Sequence, residues 1–267
     1  MTGREGAICH ETLDLAAKTV LVTGASKGIG AAIARRVGAA GAHVVLHYAH
    51  DRAGAEAAAR DIPAERKLFV QGDFAQPQVS DRVWHEALAW RERVDVLINN
   101  AAVMQWNGDI DETDATWNDV WACTLQVNVL APAHLMRRAV QHFRPVGGGV
   151  IVTISSWVVH RGVTNPSTMA YGASKAAIRS MTQSIARGYA RENVLAYVIA
   201  PGVVDTRLSQ QFADSQPGGR AAIANGLTMG EWVPPDEIAQ LAAFLASGSV
   251  RHLTGATLDV NGASYIR

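Results

Sequence analysis

Seven short runs rich in Val, Ile and Leu punctuate the chain: TVLVTG, HVVLHY, KLFVQGD, VDVLINN, GVIVTISS, VLAYVIAPG and ATLDVNG. None alternates strictly with polar residues. Each therefore predicts a strand buried on both faces, as in a parallel sheet covered by helices. Between them lie Ala-rich amphipathic stretches such as AAIARRVGAAG, VSDRVWHEALAW and DEIAQLAAFLA, which predict helices. The repeated strand-then-helix order predicts one doubly wound α/β domain. Its sheet has about seven parallel strands, with helices on both faces and right-handed crossovers. We assign it residues 17–267, after a partly ordered N-terminal tail at 1–16. Two segments break the rhythm. Residues 206–233 contain no strand signal but carry Pro217-Gly218-Gly219, which reads as a binding or lid insertion. Residues 160–169 read as a loop.

Composition narrows the class. Of the 267 residues, 48% are hydrophobic and 18% charged, as expected of a compact core with a modest polar shell. Lys plus Arg and Asp plus Glu both number 24, so no net charge draws the chain to nucleic acid or an anionic membrane. No segment is apolar enough to span a membrane, and the first sixteen residues lack the apolar core of a signal peptide. Cys9 and Cys123 lie far apart and fit no metal spacing. A reducing, cytoplasmic setting is the expectation.

The first strand runs into TGASKGIG, with glycines at 24, 28 and 30, and then into a helix. Glycines permit the tight turn and a close approach of backbone N–H groups to a pyrophosphate, and the helix N-terminus adds partial positive charge. A Walker loop is disfavoured because no Gly-Lys-Ser/Thr follows. The second strand ends at Tyr48 and Ala49, where an acid would hold the ribose 2′-hydroxyl of NAD. Lys27, His50 and Arg52 are nearby cations, so NADP is favoured. NAD remains the alternative, with Asp51 in the acid's role.

Tyr171 and Lys175, in YGASK, are four positions apart and share one helical face. A phenol titrates near ~10. Lowering that by roughly three units takes about 4 kcal/mol of preferential phenolate stabilisation, which a nearby buried ammonium could supply. The pair reads as a proton-transfer device. Ser156 ends the fifth strand at the carboxyl edge, where open α/β sheets bind ligands. It is preferred to Ser155 as donor to a developing alkoxide. Asn128 sits mid-helix, either as a functional amide or as a simple kink.

Together these motifs resemble the short-chain dehydrogenase/reductase family in its classical form, from Lys18 to the C-terminus. The resemblance implies a Rossmann fold, and hydride transfer between a nicotinamide and a carbonyl or secondary alcohol. It implies the catalytic set Asn128 (water relay), Ser156 (carbonyl orientation), Tyr171 (acid/base) and Lys175 (ribose contact and pKa lowering). Around the cofactor it implies Gly24, Ser26, Lys27, Gly28, Ile29 and Gly30. GDF adds Asp73 and Phe74; NNAA adds Asn100 and Ala101, with Ala102 where the family has glycine. PGVVDT adds Pro201, Gly202, Val204 and Thr206. A homotetramer is also implied. Two departures stand out: the segment before Asn128 is about four residues longer than usual, and the Ser156–Tyr171 loop about two.

The substrate side is less specific. Trp106, Trp157 and Trp232 lie in segments that border the family's substrate cavity; they read either as walls of an apolar pocket or as core and interface residues. Arg161 and Arg207 read as anion holders or as solvated charges. The subtypes implied are 3-oxoacyl-carrier-protein reductase and small alcohol or sugar dehydrogenase. The alternative function is a dinucleotide-binding redox sensor without turnover.

Overall fold

The computed structural model describes residues 13–214 and 216–267. In chain order the elements are β1 (Thr19–Val22), α1 (Gly28–Ala39), β2 (His43–Tyr48), α2 (Arg52–Ala58), β3 (Lys67–Gln71), α3 (Val79–Arg91), β4 (Val96–Asn99) and α4 (Asp114–Leu125). A π-helical turn, Gln126–Leu130, joins α4 to α5 (Ala131–Phe143). Then come β5 (Gly149–Ile154), α6 (Val158–Arg161), α7 (Met169–Tyr189), β6 (Val194–Pro201), α8 (Arg207–Asp214), α9 (Gly219–Asn225), α10 (Pro235–Ser247) and β7 (Thr257–Val260).

The seven strands form one sheet in the order β3-β2-β1-β4-β5-β6-β7, each pair parallel. The chain runs outward one way from β1 and then returns to start β4 on the other side. That reversal opens a crevice at the carboxyl ends of β1 and β4. The seven apolar runs of the sequence are these seven strands. β1, β4 and β6 are buried along their whole length, the condition that removed polar alternation from their sequences.

Two cores flank the sheet. On one face Ile33, Val37, Ile238, Ala242 and Leu245 of α1 and α10 pack against Val20, Val22, Ile98 and Val152. On the other, Trp84, Leu135, Met136, Phe143 and Ile178 of α3, α5 and α7 pack against Leu21, Leu97 and Ile151. Leu15, from the segment read as tail, is 1% exposed within the first core, and its N–H donates to Ala40 O at 2.7 Å. Ordered packing thus begins before β1. Cys9 lies outside the described residues. The 206–233 insertion holds α8 and α9 and is closed at its base by a parallel bridge between Val204 and Val233. The 160–169 loop is partly helical: it takes in the end of α6 and a 3₁₀ turn at Pro166–Thr168, capped by Asn165 Oδ1.

His47, near the end of β2, links three pieces of the crevice edge. It is 2% exposed; its Nδ1 accepts from the Gly24 N–H at 3.2 Å and its Nε2 donates to Gly72 O at 2.8 Å. Its ring stacks on Phe74 at 4.1 Å. These partners require a neutral ring, and burial lowers its pKa to about 4.

Leu15→Ala is expected to cost about 2–5 kcal/mol, seen as a lower urea midpoint with unchanged slope. For His47 the unfolded chain binds a proton near pH 6.5 and the fold only near pH 4, so stability falls as acid is added across that window. The loss is on the order of 3 kcal/mol. His47→Asn keeps one donor and one acceptor but does not titrate. Its urea midpoint should decline less than the parent's between pH 6.5 and 4.5, and identical declines would remove His47 as the source.

Candidate active site

The crevice floor begins with the turn from β1 into α1. Gly24 and Gly28 have φ of +66° and +54°, which L side chains rarely adopt. A Cβ at Gly24 would lie 2.9 Å from Ala101 Cα, and one at Gly30 would overlap the carbonyl oxygen of Gly24. Asn100 secures the same turn: its Nδ2 donates to Thr23 O at 2.8 Å and Gly24 O at 3.1 Å. Lys27 starts α1 with no side-chain cap, so the first-turn N–H groups face outward with the helix dipole behind them. The shape of this cradle fits a dinucleotide pyrophosphate, which Gly24, Ser26, Gly28, Ile29 and Gly30 could hold, with Lys27 beside it. Thr206 packs on the turn, its Cγ2 lying 3.1 Å from where a Gly28 Cβ would sit.

A cavity of about 390 Å³ adjoins the cradle, lined by Ser26, Lys27, Arg35, Gly54, Asp205 and Asp236 among others. Three sequence expectations change here. Arg52 is engaged by Glu56 at 2.8 Å, His50 lies 3.5 Å from Asp73, and Asp51 caps α2 by accepting from the Gly54 N–H. The i,i+4 spacing of Arg52 and Glu56 on α2, and the Asx cap, take these charges for local structure. Lys27 is left as the exposed cation without an ion-pair partner among the described residues. Phe74, expected beside the cofactor, is 4% exposed and spends its ring on His47. Pro201 and Val204 are buried and Gly202 is half-buried, its backbone backed by Asn261.

The reactive groups converge at the carboxyl end of β5. Ser155 Oγ donates to Lys175 O at 3.0 Å and is committed to α7. Ser156 Oγ accepts from the Val158 N–H at 3.4 Å and is near enough to Tyr171 to favour its phenolate. Lys175 is 5% exposed; its Nζ donates to Ile154 O at 2.8 Å and lies 5.6 Å from the centre of the Tyr171 ring. The expected depression of the phenol does not arise from the protein's own groups. Burial pushes the Tyr171 hydroxyl up to about 12, offset in part by Ser156, and burial lowers Lys175 to about 8. With the ammonium turned to a backbone carbonyl, desolvation outweighs charge attraction.

Asn128 is central to the π turn. Its Oδ1 accepts from Val103 N, and its Nδ2 donates to Val103 O at 2.8 Å and Ser174 Oγ at 3.0 Å. Pro132, four residues on, has no N–H to offer the Asn128 carbonyl, so the ordinary α-helical bond to that oxygen cannot form. Extra length before Asn128 is absorbed without displacing it from α7. Trp106 stacks on Phe212 of α8 at 5.5 Å, Trp157 carries Arg161 over its ring at 4.6 Å, and Trp232 is buried beneath Arg220 at 4.2 Å. Phe212 and His47 were not singled out from the sequence. The only signal for His47 was a polar residue inside an otherwise apolar strand.

Residues 24–263 match the family model described as enoyl-(acyl carrier protein) reductase. The chain is 36% identical over 254 residues to 3beta-hydroxysteroid dehydrogenase 1 of Eggerthella lenta, covering 93% of this chain and 94% of that one. It superposes with TM-score 0.84 on a 3-oxoacyl (acyl-carrier-protein) reductase from Agrobacterium tumefaciens C58 with NADP bound, 31% identical, covering 94% and 95% of the two chains. A 3-ketoacyl-(acyl-carrier-protein) reductase from Brucella melitensis complexed with NADH gives 0.82 at 29% identity, covering 93% and 98%. The protein is an oxidoreductase that uses a nicotinamide cofactor on hydroxyl or carbonyl groups. It belongs to the classical short-chain dehydrogenase/reductase family.

Proposed function

We propose that Tyr171 is the proton donor and acceptor of a carbonyl–alcohol interconversion, with Ser156 orienting the carbonyl oxygen. The observation that carries this is the convergence of Tyr171 with buried Ser156 and Lys175 at the end of β5, with Lys175 Nζ 5.6 Å from the centre of the Tyr171 ring. A bound nicotinamide supplies or accepts the hydride. The chain's own residues do the rest. Ser156 and Tyr171 both reach one substrate oxygen, which acquires negative charge as reduction proceeds; Ser156 holds it and Tyr171 delivers the proton. Lys175 then lies close enough to stabilise the phenolate that remains, once its ammonium turns from Ile154 O toward a ribose. Asn128 supports this geometry through Ser174, whose Oγ also donates to Tyr171 O at 2.7 Å, and is assigned the water relay.

We further propose that NADPH is preferred. Support comes from exposed Lys27 in the cradle and from Tyr48-Ala49 where an acid would stand. The substrate is assigned to the ketones and alcohols of the relatives' classes, steroid-like or 3-oxoacyl. Exposed Leu130 and Phe244 suit burial by other subunits of a homotetramer, which we assign to the cytoplasm. Among the described residues, no helix is long and apolar enough to cross a membrane.

Tyr171→Phe is expected to lower kcat about 10³-fold while leaving NADPH affinity, read by fluorescence titration, within about two-fold. A variant as fast as the parent would exclude Tyr171 as the acid. Lys27→Ala should weaken NADPH binding about ten-fold and leave NADH binding unchanged. Equal effects on both cofactors would assign Lys27 to the pyrophosphate instead.

A further inference from the structure

Beside the reactive serine lies a second cavity of about 380 Å³. Its walls include Trp157, Val158, Arg161, Phe212, Ile223 and Leu227. This is the composition of a small-molecule site: mostly apolar, with one placed charge. The cavity wall grows directly out of the site. Trp157 follows Ser156 and is anchored by its N–H to Pro201 O at 3.0 Å; the Val158 N–H then donates to Ser156 Oγ at 3.4 Å. The single turn of α6 ends at Gly162, whose φ of +77° stops the helix there. Arg161 is thereby fixed one helical turn from the serine, and its guanidinium sits 4.6 Å from the Trp157 ring centre.

The charge of Arg161 is available. Among the described residues no carboxylate pairs with it, whereas Arg220 of the 206–233 insertion is engaged by Asp205 through two bonds of 2.7 Å. Arg179 is turned toward the His160 imidazole at 3.1 Å, and burial with Arg179 lowers the pKa of that ring. The surroundings of Arg161 therefore supply no internal anion. A guanidinium lying over an indole face is restrained there while its N–H donors remain free to meet a carboxylate.

We propose that the substrate is a largely apolar, ring-bearing carbonyl compound or alcohol that carries an anionic group, with Arg161 receiving the anion. This rests on the oxidoreductase reading and adds a substrate class to it. Ser156 and Arg161 are five positions apart, mostly across one helical turn, so the reacting carbon and the anion lie on the order of 10 Å apart. A ring and a short side chain span that distance. Phe212 on Trp106 closes the opposite side of the cavity with an apolar surface.

The test is a steady-state assay of the holoenzyme with NADPH and with NADH. The panel is a set of cyclic ketones, each as free carboxylate and as methyl ester, with the charge at increasing distance from the carbonyl. The parent should favour the carboxylates about ten-fold in KM at the longer spacings. Arg161→Gln should erase that preference by raising KM for the acids alone, with kcat on the esters and cofactor affinity unchanged; Arg161→Lys should restore part of it. Arg161 is exposed, so these variants leave the core intact. Equal KM for acids and esters in the parent, or equal loss of both in Arg161→Gln, would overturn the anion pocket and leave the oxidoreductase reading standing. Failure to reduce any ketone, charged or esterified, with either cofactor would overturn both.

Discussion

The backbone of the β1–α1 turn touches the backbone of the segment after β4, and no side chain fits between them. A Cβ at Gly24 would come within 2.9 Å of Ala101 Cα, and one at Gly30 would overlap the Gly24 carbonyl. That contact brings the N-terminus of α1 to the point where the sheet order reverses, which is the place an open α/β fold offers to a ligand. Other features are built onto it. Asn100 donates into the turn from one side and His47 accepts from it on the other, while Thr206 closes over the top. The insertion that follows Thr206 is consequently tied to the same turn, so the glycine cradle and the cavity walled by that insertion share one support.

Desolvation governs the chemistry at the other end of the crevice. Tyr171 and Lys175 are both made less willing to ionise by burial, the phenol rising to about 12 and the ammonium falling to about 8. The two groups lie close to each other, with Ser156 partly favouring the phenolate and Ile154 O accepting from the ammonium. Charge brought by a cofactor would act in this same low-dielectric space, where its effect on a phenol is larger than in water. The site thus concentrates its electrostatic leverage in the loaded state.

Pocket character follows from a different balance. Arg220 and Arg161 both lie over tryptophans, yet Asp205 takes the first and, among the described residues, no carboxylate takes the second. One guanidinium therefore braces the insertion, and the other faces a cavity with apolar walls.

All seven strands were legible from the pattern of apolar runs along the sequence. A strand covered on both faces must be apolar throughout, and such a run is hard to mistake when helical patterns alternate with it. Gly24, Gly28, Gly30, Ser156, Tyr171 and Lys175 were legible too, because short local spacings set the turn and the helical face they occupy. Contacts between distant segments were decided only by the tertiary structure. These include Leu15 in the core, Phe212 on Trp106, Phe74 on His47, and the π turn that Asn128 fixes through Val103 and Ser174. Charge availability belongs to the same group: Arg52 looked ready for a 2′-phosphate and Asp51 for a ribose hydroxyl, and Glu56 and Gly54 claim them. The physical reason is common to all of these. Periodicity encodes which face of an element is buried, whereas the partner that a ring or charge meets depends on how separate elements are brought together, and pKa values depend on the burial that results.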